Sequence, residues 1–287
     1  MKNIYDPISD TAELIRAIHT DQFPKVLNKV CNNAVNFDST VTYAYNGDSP
    51  PIDLSHSDSS HSLDDYQSKA YLLDPFYHAC QSGIKPGVYY LKELAPDHFF
   101  RSEYYRSYYS ATKIIDEVGI FVPISGDKKR TGQKERKSDK GSQTVIVVSV
   151  SREEGSTVFR KKETERLILI EPVIREAVIQ HWRNPGIQEL TSPPQKGRYD
   201  ALPVRVQDAT TKLNKPSLTN RESEVVSLIL RGYSSVSISA MLDISVSTVK
   251  VHRKNIYAKM HISSQAELFS MFLPLLVNPT AWEYSQT

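Results

Sequence analysis

LTNRESEVVSLILRGYSSVSISAMLDISVSTVKVHRKNIYAKMHISSQAELFSMFL, residues 218–273, carries the densest set of helix start and stop signals in the chain. Thr219 followed by Glu222 is a capping box: the hydroxyl can accept a first-turn amide, and the carboxylate can reach back to the Thr219 amide. Val225, Leu228 and Ile229 then recur at helical spacing, and Gly232 ends the helix, because glycine takes the left-handed cap conformation cheaply. A second short helix places Ile238, Met241 and Leu242 on one face, and Asp243 and Ile244 form a tight turn. Ser245 is the N-cap of a third helix, about Val246 to Met260. At 3.6 residues per turn Val249, Ile256 and Met260 share one side of it, and Ser247, Lys250, Val251 and Lys254 share the other. Ser264 to Glu267 is a second capping box. It opens a fourth helix that ends near Leu273, before Pro274.

The third helix is therefore two-faced. One side suits a core. The other has two cations, a small hydroxyl and one apolar group, which matches the base-edge acceptors, thymine methyls and phosphates of a major groove. Residues 218–260, above all Ile244 to Ile256, resemble the LuxR-type helix-turn-helix domain of bacterial transcription regulators. The resemblance implies an all-α four-helix module whose third helix reads double-stranded promoter DNA. Lys250, Val251 and Lys254 would approach bases. Ser247, Thr248 and Arg253 complete the expected DNA-binding set, within a motif from Ser235 to Lys254. His252, nearer the packed side, is expected to pack. Arg253 has a second use open to it, pairing with Glu222 or Glu224. The chain departs from the family at Val236, Ser237 and Ser239, where a charged pair and an alanine are usual, and at Ser264, where arginine is common.

Around this stretch the composition is that of a globular chain. It has 287 residues, 39% hydrophobic, with a formal net charge of +2. Residues 218–273 alone hold six Lys or Arg against four Asp or Glu, so attraction to phosphate is local rather than global. The start MKNIYDPISD is polar, so a secretory signal is not expected, and no apolar run reaches the roughly 18 residues of a membrane helix. Cys31 and Cys80 lack metal-ligand spacing and read as buried hydrophobes in a cytoplasmic protein. No nucleophile elbow, glycine-rich phosphate loop or paired metal ligands are present, so neither catalysis nor a metal or cofactor is expected.

Upstream, two short helices (Ala12 to Ile18, Val26 to Val30) precede a strand at 41–45. A loop at 46–62 holds His56, Asp58 and His61 in a solvated setting. Residues 63–82 read as a helix interrupted at Asp74-Pro75, 87–91 as a strand, and 98–111 as an aromatic helix with spacings 100/104/108 and 105/109. The two strongest strands are 118–122 and 144–150. Between them lies a connection, 126–142, with seven basic and three acidic residues. Residues 158–182 are helical, with a stripe of Leu167, Ile170, Ile174, Val178 and Trp182 widened by Leu169 and Val173. Pro172 is expected to kink or restart that helix. The wide stripe suits packing on a second copy. Five prolines in 183–217 mark a semi-extended linker.

The expected architecture is an α+β sensor and dimerisation domain over 1–182, an antiparallel sheet with flanking helices. A linker over 183–217, the helix-turn-helix over 218–273 and a tail over 274–287 follow. The order of elements suggests a GAF- or PAS-like front domain. The stretch with Tyr66, Tyr71 and Asp74-Pro75 is similar to the autoinducer-binding domains of LuxR-type regulators. That similarity implies a ligand pocket in which the Asp receives the amide of an acyl-homoserine lactone. The tryptophan expected upstream is absent, since the only tryptophans are Trp182 and Trp282. Asp74 also reads, and more simply, as a helix-breaking Asp-Pro turn. The expected partners are promoter DNA, a second copy of the chain, RNA polymerase and a small molecule. The alternative is a front domain that only dimerises or binds a protein partner.

Overall fold

A computed structural model describes residues 5–47, 49–55, 70–102, 105–106, 112–124, 144–183 and 201–277. The expectations placed on Tyr66, the 56–61 histidines, the basic connection 126–142 and the tail beyond 277 lie outside these residues. The chain forms two compact units. The first takes residues 1–58, 79–94 and 113–198, and the second 59–78, 95–112 and 199–287.

In the first unit, α1 (Pro7–Ala17) starts where Asp6 accepts the amides of Ile8 and Ser9, and α2 (Phe23–Ala34) follows. The β-branched and aromatic run at 39–45 forms β1 (Ser39–Tyr45). The expected loop at 46–62 contains a short strand, β2 (Ile52–Asp53), paired antiparallel to β1. Then come α3 (Pro75–Gln81), whose residues up to His78 belong to the second unit, β3 (Gly87–Tyr90) and a single helical turn, α4 (Leu91–Leu94). The long strands β4 (Ile114–Ile124) and β5 (Thr144–Glu153) complete a five-stranded sheet in the order β2-β1-β5-β4-β3, every pair antiparallel. The register puts Val118, Ile120, Val122, Ile146, Val148 and Val150 on one face. There they form a core with α1, α2 and the long helix α5 (Lys161–Trp182). Alternation along the strands sends Tyr43, Tyr45, Phe121 and Val147 to the opposite face.

Two expectations for this unit are corrected. Pro172 lies inside α5, which runs unbroken from Lys161 to Trp182. The carbonyl that Pro172 leaves without a helical donor belongs to Ile168, which is exposed and open to water. Leu167, Ile170, Ile174, Val178 and Trp182 of the stripe are all buried, but Leu169, expected to widen it, faces outward with Ile168.

The second unit is built on α7 (Asn220–Leu230), in which Val225 to Leu230 are all buried. A helix that buries every side is a central one. Around it stand α6 (Ala201–Lys212), α8 (Ser235–Met241), α9 (Val246–Met260) and α10 (Gln265–Val277). α6 occupies the second half of the expected linker. It buries Leu202, Val206 and Ala209, at spacings of four and three, and packs against α7 and α10. Those apolar positions are a helical stripe that the prolines of the segment mask in a composition reading. The aromatic stretch beginning at His98 opens as a 3-10 turn, Phe99–Arg101, with Phe99 buried and Phe100, the first of the expected 100/104/108 spacing, exposed; Tyr104, Tyr108 and Tyr109 lie outside the described residues.

Candidate functional site

The geometry of the third helix is set by its neighbours. The Thr219 hydroxyl accepts the Glu222 amide at 3.2 Å, and Glu222 accepts the Thr219 amide at 2.8 Å, so the predicted capping box closes in both directions. Lys259 of α9 donates to the same carboxylate at 2.7 Å. Burial pushes the Glu222 carboxyl up, but the Lys259 and Thr219 hydrogen bonds and the Lys259 charge outweigh it and hold the group below its ordinary range. Arg221 donates to the Leu242 carbonyl and, at 2.8 Å, to Glu224, tying α7 to the turn before α9. In that turn Asp243 takes φ +51°, and Ser245 caps α9 by accepting the Thr248 amide at 3.0 Å. α8 buries Ile238 only. Met241, expected beside it, is 54% exposed, and Leu242 is half-buried.

On α9, Val249, Ile256 and Met260 are fully buried, as their spacing requires. Ser247, Lys250, Val251 and Lys254 lie on the exposed side, Val251 with 56% of its surface in solvent. Among the described residues Lys250 and Lys254 have no ion pair. Thr248 is half-buried, and its hydroxyl joins those of Ser245 and Ser247 in a cluster at the start of the helix. Arg253 separates from this set. It donates to Ser235 at 3.3 Å, to the Tyr257 hydroxyl at 3.1 Å and to Gln265 at 3.1 Å, fastening α9 to the starts of α8 and α10. The expected pairing with Glu222 or Glu224 is not what forms. Lys259 and Arg221 take those carboxylates.

In the sequence-predicted ligand stretch, Tyr71 is fully buried and packs edge-on to Tyr77 with centroids 5.0 Å apart. Asp74 is half-buried and caps α3 by accepting the Phe76 amide at 2.7 Å. Both residues are held on the 3-10 turn Ala70–Leu73 and the helix start after it. A different cluster escaped the sequence reading. The sheet face turned away from the helices of the first unit carries Tyr43, Tyr45, Tyr89, Phe121, Val145 and Val147. Tyr89 meets Phe121 edge-on at 5.5 Å. Within it Ser149 donates a hydrogen bond to the buried carboxylate of Glu117. Strand alternation was the available signal: one face reads aromatic with a polar pair, the other aliphatic.

Residues 216–272 match the family model described as bacterial regulatory proteins, luxR family. The C-terminal domain belongs to the LuxR family. Similar relatives include an HTH-type transcriptional regulator of the exeN 3′ region from Aeromonas salmonicida. It is 29% identical over 206 residues, which are 71% of this chain and 95% of that protein. The nitrate/nitrite response regulator NarL of Escherichia coli is 30% identical over 123 residues, 43% of this chain and 57% of NarL. The response regulator TodT of Pseudomonas putida is 49% identical over 57 residues, 20% of this chain and 25% of TodT. Among solved structures, the VqsR LBD domain of Pseudomonas aeruginosa covers 59% of this chain and 94% of its own length at 20% identity, TM-score 0.48. Escherichia coli SdiA covers 93% of this chain and 97% of its own length at 14% identity, TM-score 0.40.

The chain is thus a transcriptional regulator with a LuxR-type DNA-binding domain. Within that domain the residues sort by what they touch. Lys250, Val251 and Lys254 point to solvent and Ser247 bonds only to the neighbouring cap Ser245, whereas Arg253, Lys259 and Arg221 spend their donors on internal carbonyls, carboxylates and hydroxyls.

Proposed function

We propose that the chain binds double-stranded promoter DNA as a dimer through the exposed face of α9, under the control of a small molecule held on the aromatic face of the sheet. The observation that carries the DNA reading is the face itself. Lys250 and Lys254 flank the apolar Val251 and are left uncommitted on a helix whose other side is fully packed. That is the composition a major groove selects. One helix-turn-helix covers only a few base pairs, so promoter selection calls for two copies. The exposed Ile8 and Ile15 of α1 and Ile168 and Leu169 of α5 offer the apolar surface for pairing. RNA polymerase is the partner through which promoter binding would act, in the cytoplasm.

Support for a small-molecule signal comes from the sheet. A face rich in tyrosine and phenylalanine around one hydrogen-bonded carboxylate–hydroxyl pair is the mixture found in ligand sites, mostly apolar with a few fixed polar groups. The ligand class that suits it is a small, largely apolar molecule with at least one hydrogen-bonding head. Tyr71 and Asp74, in the second unit, stand as a separate ligand expectation from sequence. The exposed isoleucines and leucine favour a second reading, in which the front part only dimerises. Native mass spectrometry of protein purified from its host separates the two. A stoichiometric retained mass, lost on Phe121→Ala, is the expected result, and the bare chain mass under conditions that preserve the dimer refutes sensing.

A further inference from the structure

A helix-turn-helix draws much of its affinity from phosphates, and the first helix of the pair is the one that crosses the sugar-phosphate backbone. Here that helix is α8, SVSISAM, and it holds no cation. It exposes Val236 and Met241 instead. Arg221, Arg253 and Lys259 spend their charge on groups inside the domain. Lys250 and Lys254 of α9 face solvent, but they stand where bases are read. Phosphates beside those bases call for cations from another part of the second unit.

Such cations come from a segment far away in sequence. The His98 amide donates to the Gly232 carbonyl at 3.0 Å, and Phe99 is fully buried. The seat is close, since a Cβ at Gly232 would meet the Phe99 Cα at 2.9 Å. Ser102 accepts the Tyr105 amide at 3.1 Å and so starts the turn that carries Arg106. His98, Arg101 and Arg106, all exposed, thereby line one side of an open groove. Gln265, Ala266 and Phe269 of α10 line the other. The neighbouring carboxylates are turned to other uses. Asp97 accepts from the Ser234 amide at 3.1 Å and the Ser237 hydroxyl at 2.9 Å, and Glu267 accepts from the Ser263 and Ser264 hydroxyls at 2.7 and 2.8 Å.

The groove lies one side chain away from the reading helix. Gln265, in its wall, accepts at 3.1 Å from Arg253, which stands on α9 between Lys250 and Lys254. Two guanidinium groups and an imidazole around one concavity suit an oxyanion, because the guanidinium fork matches phosphate oxygens. We infer that His98, Arg101 and Arg106 hold a backbone phosphate beside the bases that α9 reads, so that a segment outside the helix-turn-helix forms part of the DNA-binding surface. This rests on the reading of α9 as the DNA-binding helix.

The test uses the full chain and a 30-base-pair duplex enriched by the wild-type protein from random sequence. Fluorescence anisotropy over a range of salt gives the slope of log affinity against log salt. Arg101→Gln and Arg106→Gln should each lower that slope by about 0.9, the share of one phosphate contact, and weaken binding to enriched and scrambled duplexes alike. Arg101→Lys, which keeps the charge, should restore the slope. Wild-type slopes in both glutamine variants overturn the inference, and so does a slope that Arg101→Lys fails to restore, which marks a structural role. Inorganic pyrophosphate that moves the Arg101 and Arg106 side-chain NMR signals, while the glutamine variants keep wild-type slopes, makes the groove a site for a free anion and overturns it too. In these cases a Lys250→Ala variant that still loses preference for the enriched duplex leaves the reading of α9 standing. If Lys250→Ala matches wild type, or the wild type binds no duplex, the assignment of α9 fails and the groove proposal falls with it.

Discussion

Arg253 offers the sharpest separation between a residue that builds the DNA-binding domain and one that reads DNA. Its guanidinium makes three hydrogen bonds, to Ser235, Tyr257 and Gln265, and sits 5.8 Å from the Tyr257 ring centroid. At 3.1–3.3 Å these bonds are long for charged donors, and all four residues are half-buried, so water can serve the partners once the arginine is gone. Each bond is therefore worth the lower end of the usual range, about 0.5 kcal/mol, and Arg253→Ala should cost about 1–2 kcal/mol. In a helical unit of this size the melting midpoint falls by about 4–8 °C per kcal/mol. Circular dichroism melting of the full chain in the absence of DNA reads this directly, and anisotropy reads affinity at a temperature where the variant is folded. The expected pair of results is a lower midpoint with DNA affinity reduced by less than the loss at Lys250 or Lys254. An unchanged midpoint with abolished binding would refute the reasoning and make Arg253 a phosphate contact.

Two further outcomes are expected. Because the Glu222 carboxyl lies below its ordinary value of 4.5 when folded, its stabilisation is complete above the unfolded value and lost as the pH falls through the folded one; Glu222→Gln should flatten the acid limb of the stability profile, measured by urea titration from pH 6 to pH 3. Leu169→Asp on the exposed side of α5 should leave the melting midpoint nearly unchanged but shift sedimentation toward the monomer, and a monomeric wild type at micromolar concentration would remove α1 and α5 as the pairing surface.

The helix-turn-helix was legible because several independent local signals agreed there. Thr219 and Glu222 form both bonds of their capping box, Gly232 takes a positive φ where the helix ends, Ser245 caps α9, and Val249, Ile256 and Met260 are buried as their spacing demanded. The four main strands were legible for the same reason, since β-branched runs such as 144–150 have few other uses. What escaped notice depended on partners far away in the chain. Asp97 meets Ser234 across 137 positions, and nothing local marks it as a contact. Arg253 could be placed near the packed side but not assigned to Ser235, Tyr257 and Gln265, because its partners follow from how α8 and α10 cross α9. α6 was hidden by composition, as the prolines around it outweighed the short stripe of Leu202, Val206 and Ala209. The aromatic face of the sheet needed the register of β1, β5 and β4, which only strand pairing supplies.

The central claim is that the exposed face of α9 reads DNA, and one titration tests it most directly. Wild type and the Lys250→Ala and Lys254→Ala variants are titrated by anisotropy against the enriched duplex and against a scrambled duplex of equal length at fixed salt. Each substitution should weaken binding to the enriched duplex by about 1–3 kcal/mol and narrow the preference over the scrambled one, with melting midpoints unchanged. Variants that keep both wild-type affinity and wild-type preference would contradict the assignment of this face.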